Sequence, residues 1–468
     1  MTEVTYRFDG ANRAESILSS LQGEPSNLLD WLYRDVSAIE IFSISATYKT
    51  WIEVEIALAH GHYEKGIISA EDLEVIKTLT NAVLPDFALF RNSAINVGYP
   101  IMELLTHLNQ QIPSQNQGKL HLGATTQDIL DSALALQTLR AGNLLMSYVT
   151  RLGNALKDLV EKNELTLMAG RTHAQQAVPT TFGLKCAIYL SEISRHRERL
   201  SRAFHEASRI SLFGAAGTSA AMGLYENEVR AIMAKNLGLQ EENVPWHVSR
   251  DRLIEVTSQC ASLCVTIIRF AREIIDLSRN EINEVYEPGG LHKGASSTMP
   301  QKRNPVMSEA IVGVGIQAIG NAKMMFRAGE VGHERAAGEW QLEWKSFPET
   351  IISTITATKI SFDLVEGLGI NQEAMSKNLK IHNGSIMAEA YMIELAPYLG
   401  REKAHNLIRE ATQLSQRSSI EIFQALEQLQ PEVIGYLSDF PLQARDYIGN
   451  AQLVCKTAIQ TWETLSTN

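Results

Sequence analysis

The sequence has no surplus of positive charge. It contains 42 Lys and Arg residues against 53 Asp and Glu residues, which gives a formal net charge of -11 at pH 7. Proteins that bind nucleic acid use an excess of Lys and Arg to neutralise phosphates, so we do not expect a nucleic-acid partner. An acidic protein still binds a small anion where a site has its own basic side chains.

Several cofactor and nucleophile motifs are also missing. The chain has no Gly-rich phosphate loop, no dinucleotide fingerprint, no His-Glu-x-x-His pair and no Gly-x-Ser-x-Gly turn. Of the four cysteines, only Cys260 and Cys264 are close in sequence. They share one helical face with apolar neighbours and are expected to be small buried residues rather than metal ligands. We therefore expect no cofactor and no metal.

Signals for export or membrane insertion are absent as well. The first residues show no basic-then-apolar pattern, and no apolar run reaches the length of about 18 residues that a spanning helix needs. The sequence therefore predicts a cytoplasmic, reduced protein with no membrane partner.

Long stretches with helical periodicity dominate the chain. Over 253–277, apolar residues recur every three or four positions, the spacing of a buried stripe on one helix. Similar patterns cover 129–160 and 182–210, and weaker ones cover 311–326 and 347–368. No segment alternates with period two between hairpin turns. The sequence therefore predicts an all-α fold built around a bundle of long helices.

Glycine and proline breaks divide the chain into three parts. Residues 1–115 carry shorter helical patterns, residues 116–366 hold the long helices, and residues 367–468 return to shorter helices. We predict an N-terminal helical domain, a central long-helix bundle domain and a C-terminal helical domain with these limits.

One irregular stretch, residues 286–304, combines a high glycine content with positive charge. Its potential cations are His292, Lys293, Lys302 and Arg303. Long loops are often functional, and a loop that gathers cations and hydroxyls binds carboxylates through charge-assisted hydrogen bonds. Composition alone leaves a second interpretation open, a solvated surface loop.

Three further irregular stretches are candidates for the same site. Gly123–Asp128 places hydroxyls and backbone N–H groups at a helix start, which suits either an anion or a helix cap. Gly170–Gln176 contains His173, whose imidazole suits general acid catalysis or a plain surface role. The charges of Gly332–Trp340 equally suit a helix-capping network.

The stretch Ala295–Asn304 is similar to the active-site loop of the fumarase/aspartase superfamily, usually written GSSxMPxKxN. Thr125–Asp128 and Gly170–His173 resemble the other two active-site regions of that superfamily, in the same chain order. Three separated matches make the resemblance specific, and it covers essentially the whole chain. It implies the three-domain helical fold of the superfamily and its anti elimination chemistry.

The resemblance also implies a role for each matching residue. Ser296 corresponds to the serine that removes a proton beside a carboxylate, and we expect backbone N–H groups and cations around its oxyanion. Lys302 and Asn304 correspond to groups that bind a substrate carboxylate. Thr172 and His173 belong to the leaving-group side, with His173 as the general acid or its anchor. The hydroxyl and amide cradle of the second region corresponds to Thr125, Thr126 and Gln127.

Members of the superfamily are typically homotetramers in which each active site combines regions from three chains. The resemblance therefore implies a homotetramer with shared active sites and a small-molecule dicarboxylate as substrate. The long apolar stripes agree with this, because one chain would struggle to bury them alone.

Within the superfamily, three stretches resemble the 3-carboxy-cis,cis-muconate cycloisomerases and their adenylosuccinate-lyase-like neighbours. These stretches are His121–Asp131, His333–Gly338 and Ile386–Ala390. Bacterial cycloisomerases commonly carry Trp in place of His173, because lactonisation needs no protonated amine leaving group. Adenylosuccinate lyases usually carry a His-Asp pair where this chain has Val97–Met102.

The sequence therefore favours a fumarate-forming lyase that acts on an N-substituted aspartate or a nitrosuccinate-type substrate. A cycloisomerase and an adenylosuccinate lyase stay open as alternatives. A catalytically silent structural protein is the hypothesis from another class, and the presence of Ser296, His173 and Lys302 speaks against it. The one departure inside the loop is Ala295, where the common pattern has Gly, so a need for positive φ there would hinder loop closure.

Overall fold

The structure is a computed structural model that describes residues 27–290, 293–335 and 338–467. Helices make up 69% of it, and the strands are short. The α-helices of the described residues are α1 (Leu28–Tyr33), α2 (Val36–Phe42), α3 (Ile44–Glu64), α4 (Ala70–Lys77), α5 (Phe87–Val97), α6 (Ile101–Asn109), α7 (Thr126–Asn163), α8 (Phe182–Ala207), α9 (Glu226–Leu237), α10 (Asp251–Leu277), α11 (Val306–Ala328), α12 (Glu339–Glu366), α13 (Gln372–Asn378), α14 (Ala388–Leu399), α15 (Arg401–Ser418), α16 (Ile422–Leu429) and α17 (Ala451–Thr467).

The predicted all-α fold is confirmed. The stretches with the strongest periodicity form α7, α8 and α10; of the two weaker ones, 311–326 lies within α11 and 347–368 ends two residues beyond α12. Helix α7 has 38 residues, and at a rise of about 1.5 Å per residue it is about 57 Å long. The stripe of α10 is buried as predicted, including Cys260 and Cys264. Burial also raises the pKa of the Cys264 thiol to about 12.

The chain forms two compact units. The first consists of the described residues of Met1–Ser147 with those of Arg199–Cys264 and Gly313–Thr356. The second consists of the described residues of Tyr148–Glu198, Val265–Val312 and Ala357–Asn468. The division into three domains at residues 115 and 366 stays a prediction.

The core of the first unit is built around helix α3. Tyr48 and Leu58 on this helix are fully buried. Gly61 allows a close approach to α9, because a Cβ at this position would lie 2.8 Å from Cγ1 of Val229. This packing lies beside the start of α7, whose Ile129 belongs to the same apolar cluster.

The second unit contains the strands. The pair β1 (Leu167–Thr172) and β2 (Gln175–Thr181) forms an antiparallel hairpin, and β3 (Val285–Tyr286) pairs with β4 (Gly369–Ile370). This hairpin was not identified from the sequence. Burial along β1 and β2 does not alternate between the two faces, so the period-two signal of a half-buried strand is missing.

The C-terminal part of the second unit has its own apolar cluster. Helices α14, α15 and α16 contribute Tyr391, Ile408 and Leu426, which are all buried. Successive short helices packed in this way agree with the shorter helical patterns that the sequence shows after residue 366.

Some predicted features lie outside the described residues. They are the first 26 residues of the predicted N-terminal domain, His292 of the 286–304 loop, and Ala336 and Ala337. By length and hydropathy, α10 would suffice to cross a membrane, but 56% of its most apolar window is buried within the protein, as in a core helix. The absence of a membrane partner stays a prediction.

Candidate active site

The predicted cradle lies at the N-terminus of α7, in the first unit. Helix α7 begins at Thr126, and both Thr125 and Thr126 are half-buried. The carboxylate of Asp128 accepts the N–H of Thr125 at 2.9 Å. The negative charge therefore lies in the first helical turn, where the helix dipole favours it. Hydroxyls beside the backbone N–H groups of a helix start suit a carboxylate ligand.

Asp128 connects the cradle to another segment of the same unit. Its Oδ1 accepts the N–H of Phe213 and its Oδ2 that of Gly214, both at 2.9 Å. Nε2 of His247 lies 2.8 Å from Oδ1, and the Ser211 hydroxyl donates to Oδ1 at 3.4 Å. Because Asp128 is fully buried, this ring of donors fixes the cradle in the core of the unit.

Gln127 is buried, and its amide group is engaged on both sides. Its Nε2 donates to Oδ2 of Asp131 at 3.1 Å and to the carbonyl of His247 at 2.8 Å. Its Oε1 accepts Nε of Arg335 at 2.9 Å. Sequence reasoning placed Gln127 in the cradle that binds the substrate, which stays a prediction; in the structure its amide oxygen binds Arg335.

Arg335 is a candidate site residue that the sequence reasoning missed. Besides its contact with Gln127, its Nη2 lies 3.4 Å from the carbonyl of Ala215. Gln127 and Arg335 are 208 positions apart, so no local pattern connects them, and helix capping was the interpretation that Gly332–Trp340 offered. A guanidinium at the cradle adds a positive charge with the geometry to bind a carboxylate.

His121 is a second basic group just ahead of the cradle. Its Nδ1 lies 2.7 Å from Oε1 of Glu55, and its backbone N–H donates to Oε2 of Glu55 at 3.0 Å. Burial alone would lower the pKa of His121, but the hydrogen bond and charge of Glu55 outweigh it and raise the pKa. The backbone of His121 has a φ of 60°, which is uncommon for a residue other than glycine. In the sequence analysis His121 is only the first residue of a stretch that resembles the cycloisomerases, and no role was predicted for its side chain.

A buried ionic layer, formed by Asp131, Arg250 and Glu343, is hydrogen-bonded to the cradle. Arg250 donates through Nη1 to Oδ2 of Asp131 at 2.9 Å and through Nε to Oε2 of Glu343 at 2.8 Å. All three side chains are about 1% exposed. Burial raises the pKa of Glu343, and the charge of Arg250 opposes that rise. Because Asp131 also accepts a hydrogen bond from Gln127, the ionic layer holds the cradle in place.

The predicted leaving-group residues lie on the hairpin of the second unit. Thr172 ends β1 and pairs with Gln175, so His173 and Ala174 form a two-residue turn. Their φ values are 50° and 63°, the signature of a type I′ turn. Such turns favour Asn and Gly, and this turn contains neither. Thr172 and His173 are both exposed at this tip.

The 286–304 loop is closed at its base by backbone contacts. The N–H of Asn304 donates to the carbonyl of Gly294 at 2.8 Å, and Ala295 forms an antiparallel bridge with Arg303. Gly294 has a φ of 67°, and a Cβ there would lie 2.5 Å from the carbonyl oxygen of Asn304. Ala295 has no positive φ. The glycine requirement therefore falls on Gly294, and alanine at 295 introduces no backbone strain.

Ser296 follows Ala295 of this bridge, and Lys302 precedes Arg303 on the other arm of the loop. The Oγ of Ser296 accepts the backbone N–H of Met299 at 3.1 Å and that of Thr298 at 3.3 Å. Two N–H donors stabilise an oxygen anion more than a neutral hydroxyl. The loop therefore combines a candidate base with a cation that suits a carboxylate.

The loop borders a cavity of about 450 Å³, within the second unit. Lys293, Lys302 and Arg303 contribute to its lining, and Glu287 is an acidic neighbour. Glu287 accepts the N–H and hydroxyl of Ser308 at 2.8 and 2.7 Å. Three cationic side chains against one carboxylate give the lining a net positive charge, which suits an anionic ligand.

The structure sorts the predicted residues into two sets. Thr125, Thr126 and Gln127 lie together in the first unit with Arg335. Thr172, His173, Ser296, Lys302 and Asn304 lie in the second unit. Among the described residues, no group of three or more His, Cys, Asp or Glu side chains has the arrangement to hold a metal ion.

Comparisons with known proteins agree with this chemistry. A lyase family model matches residues 36–320. A 3-carboxy-cis,cis-muconate cycloisomerase from Pseudomonas aeruginosa is 33% identical, over 93% of this chain and 96% of that protein. An N-acetyl-S-(2-succino)cysteine lyase from Dickeya dadantii is 31% identical, over 86% of this chain and 88% of that protein.

The fold has a close counterpart among solved structures. The crystal structure of 3-carboxy-cis,cis-muconate lactonizing enzyme from Pseudomonas putida superposes with a TM-score of 0.88. It is 30% identical in sequence, and the match covers 94% of this chain and 99% of the other. The likeness therefore extends over nearly the whole chain.

Proposed function

The chain belongs to a lyase family of the fumarase/aspartase superfamily, and we propose that it catalyses an anti β-elimination from a 2-substituted succinate. The products are fumarate and the released substituent, for example the amine of an N-substituted aspartate. The observation that carries the proposal is the loop in which Ser296 Oγ accepts two backbone N–H groups and whose Lys302 lines the adjoining cavity.

The proposed reaction begins with Ser296 in its deprotonated form. Its Oγ takes a proton from the carbon beside one carboxylate, and the C–H electron pair forms the new double bond. The bond to the substituent on the next carbon breaks with its electron pair, and His173 supplies a proton to the leaving group. Lys302 and Asn304 bind the carboxylate whose negative charge grows as the proton leaves.

The cradle of the first unit is proposed to bind the other carboxylate. Thr125 and Thr126 supply hydroxyls and helix N–H groups, and Arg335 and His121 supply positive charge. We further propose a cytoplasmic homotetramer with active sites shared between chains, which needs neither cofactor nor metal.

The identity of the leaving group is the open part of the proposal. His173 favours a group that must be protonated as it leaves, such as an amine. The name of the Dickeya dadantii relative points to a succinate that carries a sulfur substituent. Nitrosuccinate is a further member of the same substrate class.

A second candidate function is the cycloisomerisation of 3-carboxy-cis,cis-muconate. The names of the Pseudomonas aeruginosa relative and the Pseudomonas putida structure favour it. In that reaction a carboxylate of the substrate itself closes a lactone ring, so no fumarate is released. The same loop would serve it, and His173 is the residue that sets the two candidates apart.

One panel of substrates separates the candidates. The purified protein is incubated with N-substituted aspartates, S-succinylated thiols, nitrosuccinate, adenylosuccinate and 3-carboxy-cis,cis-muconate, while fumarate is followed by its ultraviolet absorbance. We expect fumarate from at least one substituted succinate. Turnover of carboxymuconate with no fumarate from any succinate would overturn the lyase proposal.

Two variants test the roles of the residues. Ser296→Ala is expected to abolish turnover while substrate still binds, and the neighbouring Ser297→Ala serves as the matched control. Near-normal turnover by Ser296→Ala would place the base elsewhere. His173→Asn is expected to slow amine leaving groups more than nitrite, and equal slowing of both would argue against an acid role.

A further inference from the structure

A buried ion pair connects the His173 hairpin to the root of the Ser296 loop. Arg171 donates through Nη1 to Oε2 of Glu284 at 2.9 Å and through Nη2 to Oε1 at 2.7 Å. The Glu284 side chain is 0% exposed and that of Arg171 is 20% exposed. This is the bidentate arrangement of guanidinium and carboxylate, which fixes orientation as well as distance.

Asn378 adds a second connection to the same carboxylate. Its Nδ2 donates to Oε1 of Glu284 at 2.8 Å. Its backbone carbonyl accepts Nε2 of Gln176 at 3.0 Å. Arg171 lies on β1 and Gln176 on β2, so both strands of the hairpin are held by the group around Glu284.

The two sides of this group lead to different predicted site residues. Arg171 precedes His173 by two positions, so the pair lies at the foot of the turn. Glu284 directly precedes β3, which is paired with β4, and three positions later Glu287 accepts the N–H of Met307 at 3.0 Å at the start of α11. These contacts therefore fix the segment from Glu284 to Glu287, and the 286–304 loop begins within it.

A gain in folding stability is a weak explanation for the presence of this ion pair. The desolvation of the buried Glu284 carboxylate and the mostly buried Arg171 guanidinium offsets much of their attraction, and apolar residues of the same size often stabilise a fold equally well. Geometry gives a stronger reason, because the turn at His173 and Ala174 has two residues with positive φ and no glycine. A turn of this kind keeps one orientation only when the strands below it are held.

We propose that Arg171 and Glu284 are positioning residues for the leaving-group side of the reaction, and that they hold His173 through the hairpin. The proposal rests on the function proposed above, in which His173 supplies a proton to the leaving group. Neither residue touches the substrate in this proposal; each acts through the strand that carries the imidazole.

The test combines Glu284→Gln and Arg171→Lys with a control at a second ion pair, whose Lys185 and Glu273 side chains are 23% and 30% exposed. The control is Glu273→Gln, which weakens the pair of Lys185 and Glu273, whose atoms lie 2.7 Å apart elsewhere in the same unit. For an amine leaving group we expect kcat to fall about tenfold or more in Glu284→Gln, because small misplacements of a catalytic group have large effects. For nitrite the fall should stay below about threefold, and KM should change by less than about twofold. Arg171→Lys keeps the positive charge but loses the bidentate contact with Glu284, so its kcat should lie between those of wild type and Glu284→Gln.

A double-mutant cycle separates positioning from a general structural role. In a His173→Asn background, Glu284→Gln should cost less than about twofold in kcat, since the group that it positions is gone. Equal slowing of both leaving groups, or full additivity with His173→Asn, would overturn the proposal. If Glu284→Gln fails to fold, the cycle is run with Arg171→Lys.

A second readout does not depend on turnover. Hydrogen–deuterium exchange of the hairpin peptide that contains His173 should accelerate in Glu284→Gln and stay unchanged in Glu273→Gln. Unchanged exchange of that peptide in Glu284→Gln would overturn the positioning role even if the enzyme is active. A wild-type protein that turns over no substituted succinate would instead remove the proposed function, and the exchange result would still report whether the pair holds the hairpin.

Discussion

The replacement of Asp128 by Asn tests how the cradle is held. The change keeps the size of the side chain but converts one carboxylate oxygen into an NH2 group. If that group replaces Oδ2, it faces the N–H groups of Thr125 and Gly214; if it replaces Oδ1, it faces the N–H of Phe213. In either orientation at least one backbone N–H of the cradle region loses its acceptor.

The size of the effect follows from these contacts. A buried donor without a partner costs about 1–3 kcal/mol, and hydrogen bonds to the remaining oxygen become weaker once its charge is lost. We therefore expect Asp128→Asn to lower the free energy of unfolding by about 2–4 kcal/mol. The orientation of Thr125 depends on the same carboxylate, so kcat/KM should fall by about tenfold or more.

The assay is urea unfolding at fixed protein concentration, followed by kinetics at a temperature where the variant is folded. Asp158→Asn is the matched control, because Asp158 is an exposed carboxylate on the same helix, and it should change the unfolding free energy by less than about 0.5 kcal/mol. A loss of less than about 0.5 kcal/mol in Asp128→Asn would refute the reasoning, since the donors would then be satisfied without the charge.

Three further predictions concern backbone conformation and pH. Ala295→Gly should leave turnover unchanged, whereas Gly294→Ala should lower kcat about tenfold or more, because its Cβ would meet the carbonyl of Asn304 at 2.5 Å; steady-state kinetics of both variants checks this, and equal activity of the two would contradict it. Ala174→Gly should raise the free energy of unfolding by about 1 kcal/mol in thermal or urea unfolding, because φ is 63° there; a decrease would count against the turn assignment. Burial lowers the pKa of His62 to about 4, below the value of about 6.5 in the unfolded chain. As pH falls below about 6.5 the unfolded state therefore binds the proton first, and the free energy of unfolding decreases by up to about 3 kcal/mol towards pH 4. Urea midpoints measured from pH 7 to pH 4.5 should therefore fall more steeply in wild type than in His62→Gln, and parallel curves would exclude this cause.

Features that depend on neighbours in the sequence could be predicted from the sequence. The apolar stripe of α10 repeats every three or four residues, so the sequence predicted both the helix and its buried face. The loop at 286–304 stood out by its glycines and cations, and the expected N–H groups around Ser296 Oγ come from residues two and three positions later. Such contacts follow from local geometry.

Features that depend on distant partners could not be predicted in the same way. The contact of Arg335 with Gln127 spans 208 positions, and that of His121 with Glu55 spans 66. Neither side chain has a local pattern that names its partner. The hairpin was missed for a related reason: its turn has no Asn or Gly at His173, and its strands are fixed by the group around Glu284 rather than by an alternating apolar face.

The closed base of the 286–304 loop has a consequence for how the protein delivers its reagents. Ser296 follows Ala295 on one arm and Lys302 precedes Arg303 on the other, so each adjoins one residue of the bridge that joins the two arms. A movement of the loop about Gly294 and Asn304 that keeps this bridge therefore carries the backbone of both residues together. In the proposed reaction the base and the positive charge would then reach the substrate in a single movement.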